Sequence, residues 1–194
     1  MITDMLKDVL TAQETKAISD WYMREDDCTA DLMALGTGQE FRQFVQHVLT
    51  CERTKASNVL GRTIVIDYVS GQPYTSAQDM RESFNRTGIL KISTDFNDSP
   101  LMGPSVNLLF RAAHDLHHIR SANCEFNLDG EICAFTKFAK YTHFRMFRYI
   151  LFSEIVGQVC ALRHWGKGVT YAPQKTVLIP YKYIDKCLTS YKVS

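Results

Sequence analysis

Two histidines four residues apart, His114 and His118, lie in a segment whose apolar residues recur at helical spacing. At about 100° per residue their side chains share one helix face, and imidazoles on consecutive turns can bind one metal ion. The segment from His114 to His118, HDLHH, resembles the zinc-binding HExxH pattern, except that Asp115 replaces the glutamate. Aspartate is one methylene shorter than glutamate, so its reach as a general base is shorter. The pattern therefore predicts a metal-binding helix more strongly than a protease.

The polar face of this helix also includes Asn107 and Arg111, which precede His114 by seven and three residues. Arg111 is a candidate for binding an anionic substrate or intermediate. His117 projects roughly 60 to 100° away from this face. The second histidine ligand is either His117 or His118, and helical spacing favours His118.

Two glutamates in the following helical segments can complete such a site. Glu131 lies in line with the apolar residues of its segment, and Glu154 is flanked by Ser153 and Ile155 within an otherwise apolar run. An uncompensated buried carboxylate is costly, and coordination of a metal ion would compensate it. Gln158, one turn after Glu154, can support that carboxylate.

Two imidazoles and two carboxylates suit one divalent ion, zinc or iron, with an open position, or a carboxylate-bridged metal pair. Either Asp115 or Glu131 would then activate a metal-bound water. The predicted site consists of the metal ligands His114, His118, Glu131 and Glu154, the catalytic groups Asp115, Glu131 and Arg111, and the supporting residues Gln158, Asn107 and His117.

The elements that must position these residues are mostly helices. Apolar periodicity predicts helices over 4–23, 39–56, 107–120, 129–141 and 144–164, with a loop at Gly36 and Gly38. β-Branched runs at 63–69 and 89–92 predict two strands, and Thr75 or Ser76 can cap a helix between them. We expect a mainly α (α+β) fold: a helical bundle with a small minor β-sheet in the N-terminal half.

The 194 residues are expected to form a single domain. Its parts would be helices with a small sheet over 1–105, the site-bearing helices over 106–165, and an extended C-terminal segment over 166–194. That last segment, which is punctuated by glycine and proline, is expected to end in a short helix.

Composition is that of a folded globular protein, with 45% hydrophobic and 22% charged residues. No apolar stretch approaches the roughly 20 residues of a membrane helix, and the opening residues are partly acidic. These features predict a cytoplasmic protein with no membrane partner. Six cysteines without a CxxC pair predict reduced thiols.

Charge is unevenly distributed along the chain. Residues 136–194 hold ten Lys or Arg and two acids, although the whole chain carries a net charge of only +1. A solvated surface explains this most simply, but a basic C-terminal third can also attract nucleic acid. Nucleic acid is therefore kept as a possible partner.

Four motifs follow one another between residues 88 and 183, namely NLLFRAAHD, GE, EIVGQ and QKTVLIP. Their order resembles that of a family of uncharacterised tailed-bacteriophage proteins, with the pattern FRxxHD, a nearby histidine, GE, ExxGQ and QK before a proline. The spacing of that histidine in the family can differ by one residue from that of His118. The resemblance implies a bacteriophage source, with the host cytoplasm as location, and a polar site shared by three helices.

A weaker likeness concerns the segment AAHDLHH, which is similar to the AxxHDxxH segment of HD-domain phosphohydrolases. That family also has a histidine shortly upstream. Here the only earlier histidine is His47, far from His114 in the sequence. The likeness therefore ranks below the first.

Together these patterns predict a metal-dependent enzyme, and first a hydrolase that uses a metal-bound water. One alternative is a non-haem iron enzyme of oxygenase type, with one or two iron ions. The other is a non-catalytic phage interaction or inhibitor protein. The expected substrate is a small or phosphate-bearing molecule. Its identity stays open because no phosphate loop or dinucleotide fingerprint is present. The oligomeric state also stays open.

Overall fold

The computed structural model of the protein describes residues 9–121, 124–166 and 172–190. Their fold is mainly helical with a small two-stranded sheet, which confirms the predicted class. The elements are α1 Ala12–Arg24, α2 Thr29–Ala34, α3 Thr37–Leu60, β1 Val65–Val69, α4 Ala77–Thr87, β2 Ile89–Ser93, α5 Gly103–Ile119, α6 Leu128–Ala139, α7 Arg145–Phe152, a π-helical turn Ser153–Gly157, α8 Gln158–Trp165 and α9 Tyr181–Ser190.

The described residues form two compact units, and the division falls inside α6. Unit 1 takes the described residues up to Cys28 and from Glu131 onward, and unit 2 is Thr29–Gly130. Whether the chain behaves as a single domain stays a prediction. Within the described segments, no helix has the length and apolar content needed to cross a membrane.

In unit 2, the long helix α3 packs against α5. The facing side of α3 contributes buried Phe41, Val45 and Val48, in agreement with the predicted apolar stripe. α4 connects β1 to β2, which pair in parallel with Val65 opposite Ile89. Parallel strands need such a crossover. The sheet therefore forms where the two β-branched runs predicted it.

The start of α3 differs from the expectation of a loop at Gly36 and Gly38. Gly36 adopts a left-handed conformation with φ 78°, and α3 begins directly after it. Gly38 lies within the first turn, where a Cβ atom would collide with the Met33 side chain. This glycine therefore serves close packing inside a helix, and α2, which carries Met33, was not predicted.

In unit 1, α1 packs against α8 and the π-helical turn. Thr11 and Glu14 form a capping box at the start of α1. The segment predicted as one helix over 144–164 contains the π-helical turn between α7 and α8. At Gly157 in this turn a Cβ atom would lie 2.8 Å from Ile179 Cδ1 and 3.0 Å from Tyr22 Cδ2. The glycine thus permits the close approach of α1.

Candidate metal centre

Helix α5 brings the two predicted histidines together. Ala112, Ala113 and Leu116 are fully buried on its apolar side and fix its rotation. On the adjacent face, the Nε2 atoms of His114 and His118 lie 3.2 Å apart. Two ligands of a tetrahedral zinc ion at about 2.1 Å lie about 3.4 Å apart, so this spacing fits two nitrogens on one ion.

His118 is fully buried, and the backbone determines its tautomer. Its Nδ1 lies 2.9 Å from the carbonyl oxygen of Cys124. A carbonyl only accepts hydrogen bonds, so Nδ1 carries the hydrogen. With Nδ1 as the donor, Nε2 is the ring nitrogen that faces His114.

His114 has an equivalent partner in Asp115, whose Oδ1 lies 3.2 Å from His114 Nδ1. An ionised carboxylate only accepts, so the hydrogen of a neutral His114 lies on Nδ1, and its Nε2 presents a lone pair to the same space as that of His118. Histidines that bind metals commonly donate their other N–H to a carboxylate or a carbonyl. Asp115 therefore helps to orient the His114 ring, and its predicted role as a general base stays a prediction.

Glu131 is the third member of this group. One ligand atom from each of His114, His118 and Glu131 can be chosen such that all lie within 4.8 Å of one another. The described residues contain no other group of three or more such side chains. One nitrogen from each imidazole and one carboxylate oxygen therefore converge.

The turn before Glu131 explains how the sequence places it. Gly130 packs so closely on the backbone of Glu125 that a Cβ atom has no space. Its N–H donates to Asn127 Oδ1 at 2.9 Å. The chain can therefore enter α6 immediately after the segment that carries the Cys124 carbonyl, and Glu131 follows Gly130 in the first turn.

Arg81 on α4 is a positioning residue that the sequence did not reveal. Its Nη1 donates to the carbonyls of His118, Ser121 and Cys124 at 3.3–3.4 Å, and its Nη2 pairs with Glu125. It thus holds the end of α5 and the segment that orients His118. It lies 37 residues before His118, and no spacing rule links residues so far apart.

Asn107 and Arg111 occupy the predicted face of α5 but bind backbone and side chains of unit 2. The Arg111 guanidinium donates to the carbonyls of Ser93, Asp95 and Phe96 at 2.6–3.0 Å. Asn107 Nδ2 donates to Asn97 Oδ1 at 2.9 Å. These contacts fasten the segment after β2 to α5. Anion binding by Arg111 stays a prediction.

His117 projects to the other side of α5, toward α3. Its Nδ1 lies 3.8 Å from Oε2 of the buried Glu52, which also pairs with Arg120 and Lys55. Of the two candidates for the second histidine, the structure thus brings His118 to His114 and places His117 in the ion network between helices.

Glu154 and Gln158 lie together in unit 1. Glu154 accepts from Thr176 Oγ1 and Gln158 Nε2, each at 2.9 Å, and Gln174 Nε2 donates to Gln158 Oε1 at 3.3 Å. Burial, together with a smaller effect of the charge on Asp27, raises the pKa of Glu154 to about 7 in spite of these two bonds. Glu154 is not in the group of His114, so its role as a ligand stays a prediction.

The prediction of reduced thiols is wrong for two cysteines. Cys124 and Cys133 are disulfide-bonded, whereas the thiols of Cys28, Cys51, Cys160 and Cys187 are outside disulfides. Cys124 supplies the carbonyl that orients His118, and Cys133 lies two residues after Glu131. Single, scattered cysteines gave no sequence signal for this bond, because pairing depends on which segments meet in three dimensions.

Comparison with known proteins adds no relative to this geometry. No family model matches the chain, and no significant match exists among curated proteins or solved structures. Any functional conclusion therefore depends on the residues of the site themselves.

Proposed function

We propose that the protein is a metal-dependent enzyme, and first a hydrolase, in which His114, His118 and Glu131 hold one divalent cation. The observation that carries the proposal is the convergence of two imidazole nitrogens, 3.2 Å apart, with a carboxylate oxygen. Two histidines and one glutamate form a ligand set of catalytic zinc sites, which leave one position open.

The surrounding residues fit this assignment. Asp115 and the Cys124 carbonyl each accept a hydrogen bond from the Nδ1 of one ligand, so both Nε2 atoms are available for a cation. The ring of Phe126 lies 5.3 Å from that of His118 and covers part of it. A divalent ion in this place supplies Lewis acidity and lowers the pKa of water in the open position.

A second candidate is a non-haem iron enzyme of oxygenase type. The same observation favours it, because two histidines and one carboxylate also form the facial triad of Fe(II) oxygenases. The two candidates differ in the bound metal, so metal content separates them.

Membership of the tailed-bacteriophage family also stays a proposal. Its support is that the motifs EIVGQ and QK meet in unit 1, where Gln174 donates to Gln158 and Gln158 donates to Glu154. A non-catalytic phage protein would hold these residues for structure alone. Nucleic-acid binding by the basic C-terminal third also stays a prediction.

Elemental analysis tests these candidates. The protein is purified without added metal and then titrated with Zn²⁺ and, without oxygen, with Fe²⁺. One equivalent of tightly bound zinc supports the hydrolase, a preference for iron supports the oxygenase, and no stoichiometric binding of either refutes both.

The ligand assignment is tested with His114→Ala, which should abolish stoichiometric binding. His47→Ala is the matched control, because His47 is an exposed histidine on α3 in unit 2. Circular dichroism and thermal unfolding confirm that both variants are folded. Full metal occupancy in folded His114→Ala would show that the assignment is wrong.

A further inference from the structure

A cavity of about 400 Å³ lies in unit 2, apart from the histidine pair. This volume is within the range of roughly 300–1,000 Å³ that is typical of small-molecule sites. The lining is almost entirely polar and consists of Pro73, Tyr74, Asp79, Glu82, Ser83, Arg86 and Lys91.

One face of α4 forms a wall of this cavity. Asp79, Glu82, Ser83 and Arg86 are spaced by three and four residues, so their side chains lie along the same side of the helix. The wall from β2 is held by a hydrogen bond, because the backbone N–H of Lys91 donates to Tyr74 Oη at 2.8 Å. The relative position of Tyr74 and Lys91 is thus fixed by the backbone.

The two acids of the lining already accept hydrogen bonds from residues close to them in the sequence. Asp79 Oδ2 accepts from the N–H and the hydroxyl of Thr75 at 3.0 and 3.2 Å. Glu82 Oε1 accepts from Gln78 Nε2 at 2.8 Å. Both carboxylates are therefore held by neutral donors, from Thr75 and Gln78.

The two cations of the lining, unlike the two acids, have no partner of opposite character among the described residues. In the described part of the chain, neither Arg86 nor Lys91 has a carboxylate partner within ion-pair distance. A guanidinium presents several N–H donors in a plane and suits oxyanions, and an ammonium adds a point charge. The donors of this cavity are thus available to an anionic ligand.

Tyr74 adds a neutral donor. Its oxygen accepts from the Lys91 N–H, which leaves the phenolic hydrogen to donate. Burial raises the pKa of Tyr74, and the charge of nearby carboxylates, Asp115 first, adds to this rise. The phenol therefore keeps its hydrogen at neutral pH.

We propose that this cavity binds the phosphate group of a small phosphate-bearing molecule. Arg86 and Lys91 supply two positive charges beside the two carboxylates of Asp79 and Glu82, and the hydroxyls of Tyr74 and Ser83 supply two further donors. A phosphate monoester has three terminal oxygens and close to two negative charges, whereas a carboxylate has two oxygens and one charge. The donor set matches the phosphate better. The proposal does not depend on the metal centre.

The test measures binding of inorganic phosphate and of acetate to the full chain by isothermal titration calorimetry at constant ionic strength. Arg86→Gln and Lys91→Gln each remove one cation of the cavity. Arg53→Gln is the matched control, since Arg53 is exposed on α3 outside the lining. His114→Ala reports whether phosphate binds at the metal centre instead. Thermal unfolding confirms the fold of every variant.

We expect saturable phosphate binding that Arg86→Gln and Lys91→Gln each weaken by about tenfold or more, because each removes a charge-assisted hydrogen bond. Arg53→Gln and His114→Ala should leave it unchanged, and acetate should bind more weakly than phosphate. Lack of saturation, an equal loss in Arg53→Gln, a loss confined to His114→Ala, or acetate binding as tight as that of phosphate would each overturn the proposal.

Discussion

Unit 1 and unit 2 each contain a polar cluster among buried helices: Glu154 with its hydrogen-bond partners in unit 1, and the histidine pair in unit 2. The two clusters replace the hydrogen bonds that burial removes in different ways. In unit 1, Thr176 donates to one carboxylate oxygen of Glu154 and Gln158 donates to the other, so the protein itself supplies a donor for each oxygen. In unit 2, His114 and His118 donate outward through Nδ1 and turn their acceptor nitrogens toward each other. Only the second arrangement has the geometry on which the proposed metal centre is based.

This difference shows why the burial of a polar residue does not by itself identify a ligand. A buried carboxylate can be satisfied by protonation and by neutral donors, as the raised pKa of Glu154 indicates. Converging acceptors have no such solution within the protein unless one of the rings is protonated. The direction of the donors, more than the residue types, separates a metal centre from a structural network.

The largest expected effect separates these roles at Glu154. Its pKa is about 7 in the folded protein against an ordinary value of 4.5, so the folded state holds this proton more tightly than the unfolded chain. The free energy of unfolding should therefore fall by about 3 kcal/mol as pH rises from about 4.5 to about 7, and then level off. Urea unfolding across this range measures it.

Glu154→Gln, which cannot ionise, is the reference for this pH dependence. The fall in the free energy of unfolding should be present in the unaltered protein and missing from the variant. Zinc binding should be equal in both. Loss of zinc from folded Glu154→Gln would instead establish Glu154 as a ligand, as the sequence pattern predicted, and would break the contrast between the two clusters.

The second effect concerns the orientation of His114 by Asp115. Asp115→Ala should weaken zinc affinity by about 10- to 100-fold, because the loss of a carboxylate that orients a histidine ligand typically has this cost. Competition with a chromophoric chelator measures the affinity. Asp98→Ala, an exposed aspartate in unit 2, is the control and should have no effect. Unchanged affinity together with lost turnover would support the general base that the sequence predicted.

The sequence predicted the local features of this centre and missed the long-range ones. Spacing of four residues placed His114 and His118 on one helix face, and an inward carboxylate in the next helix pointed to Glu131. Both predictions depend on helical periodicity, which can be recognised from the sequence alone. The support from Arg81 and the disulfide at Cys124 depend on which segments meet in three dimensions, and periodicity holds no information on that.

The fold shows the same limit. Apolar and β-branched patterns predicted the two strands and the helices other than α2, because each pattern reports how one element buries one face. The π-helical turn was not predicted. Tyr22 and Ile179 pack on Gly157 within this turn, and such contacts between distant segments leave no periodic pattern in the sequence. Gln158 was predicted to support Glu154 and does donate to it. The bond from Thr176 was not predicted, because Thr176 comes from a segment without periodic structure.

The smallest expected effect tests whether the unit 1 cluster is held by the protein alone. Tyr22 is fully buried, and its hydroxyl donates to the carbonyls of Pro173 and Lys175 at 2.6 and 3.0 Å. Tyr22→Phe keeps the ring against Gly157 and removes this donor, so the free energy of unfolding should fall by about 1 kcal/mol. Zinc binding should not change. Urea unfolding measures the loss, with the exposed Tyr68→Phe as control.

Two outcomes would contradict this prediction. Equal stability changes in both variants would mean that the Tyr22 phenol does not hold the segment before α9. A fall in zinc affinity in Tyr22→Phe would mean that the two clusters are energetically coupled.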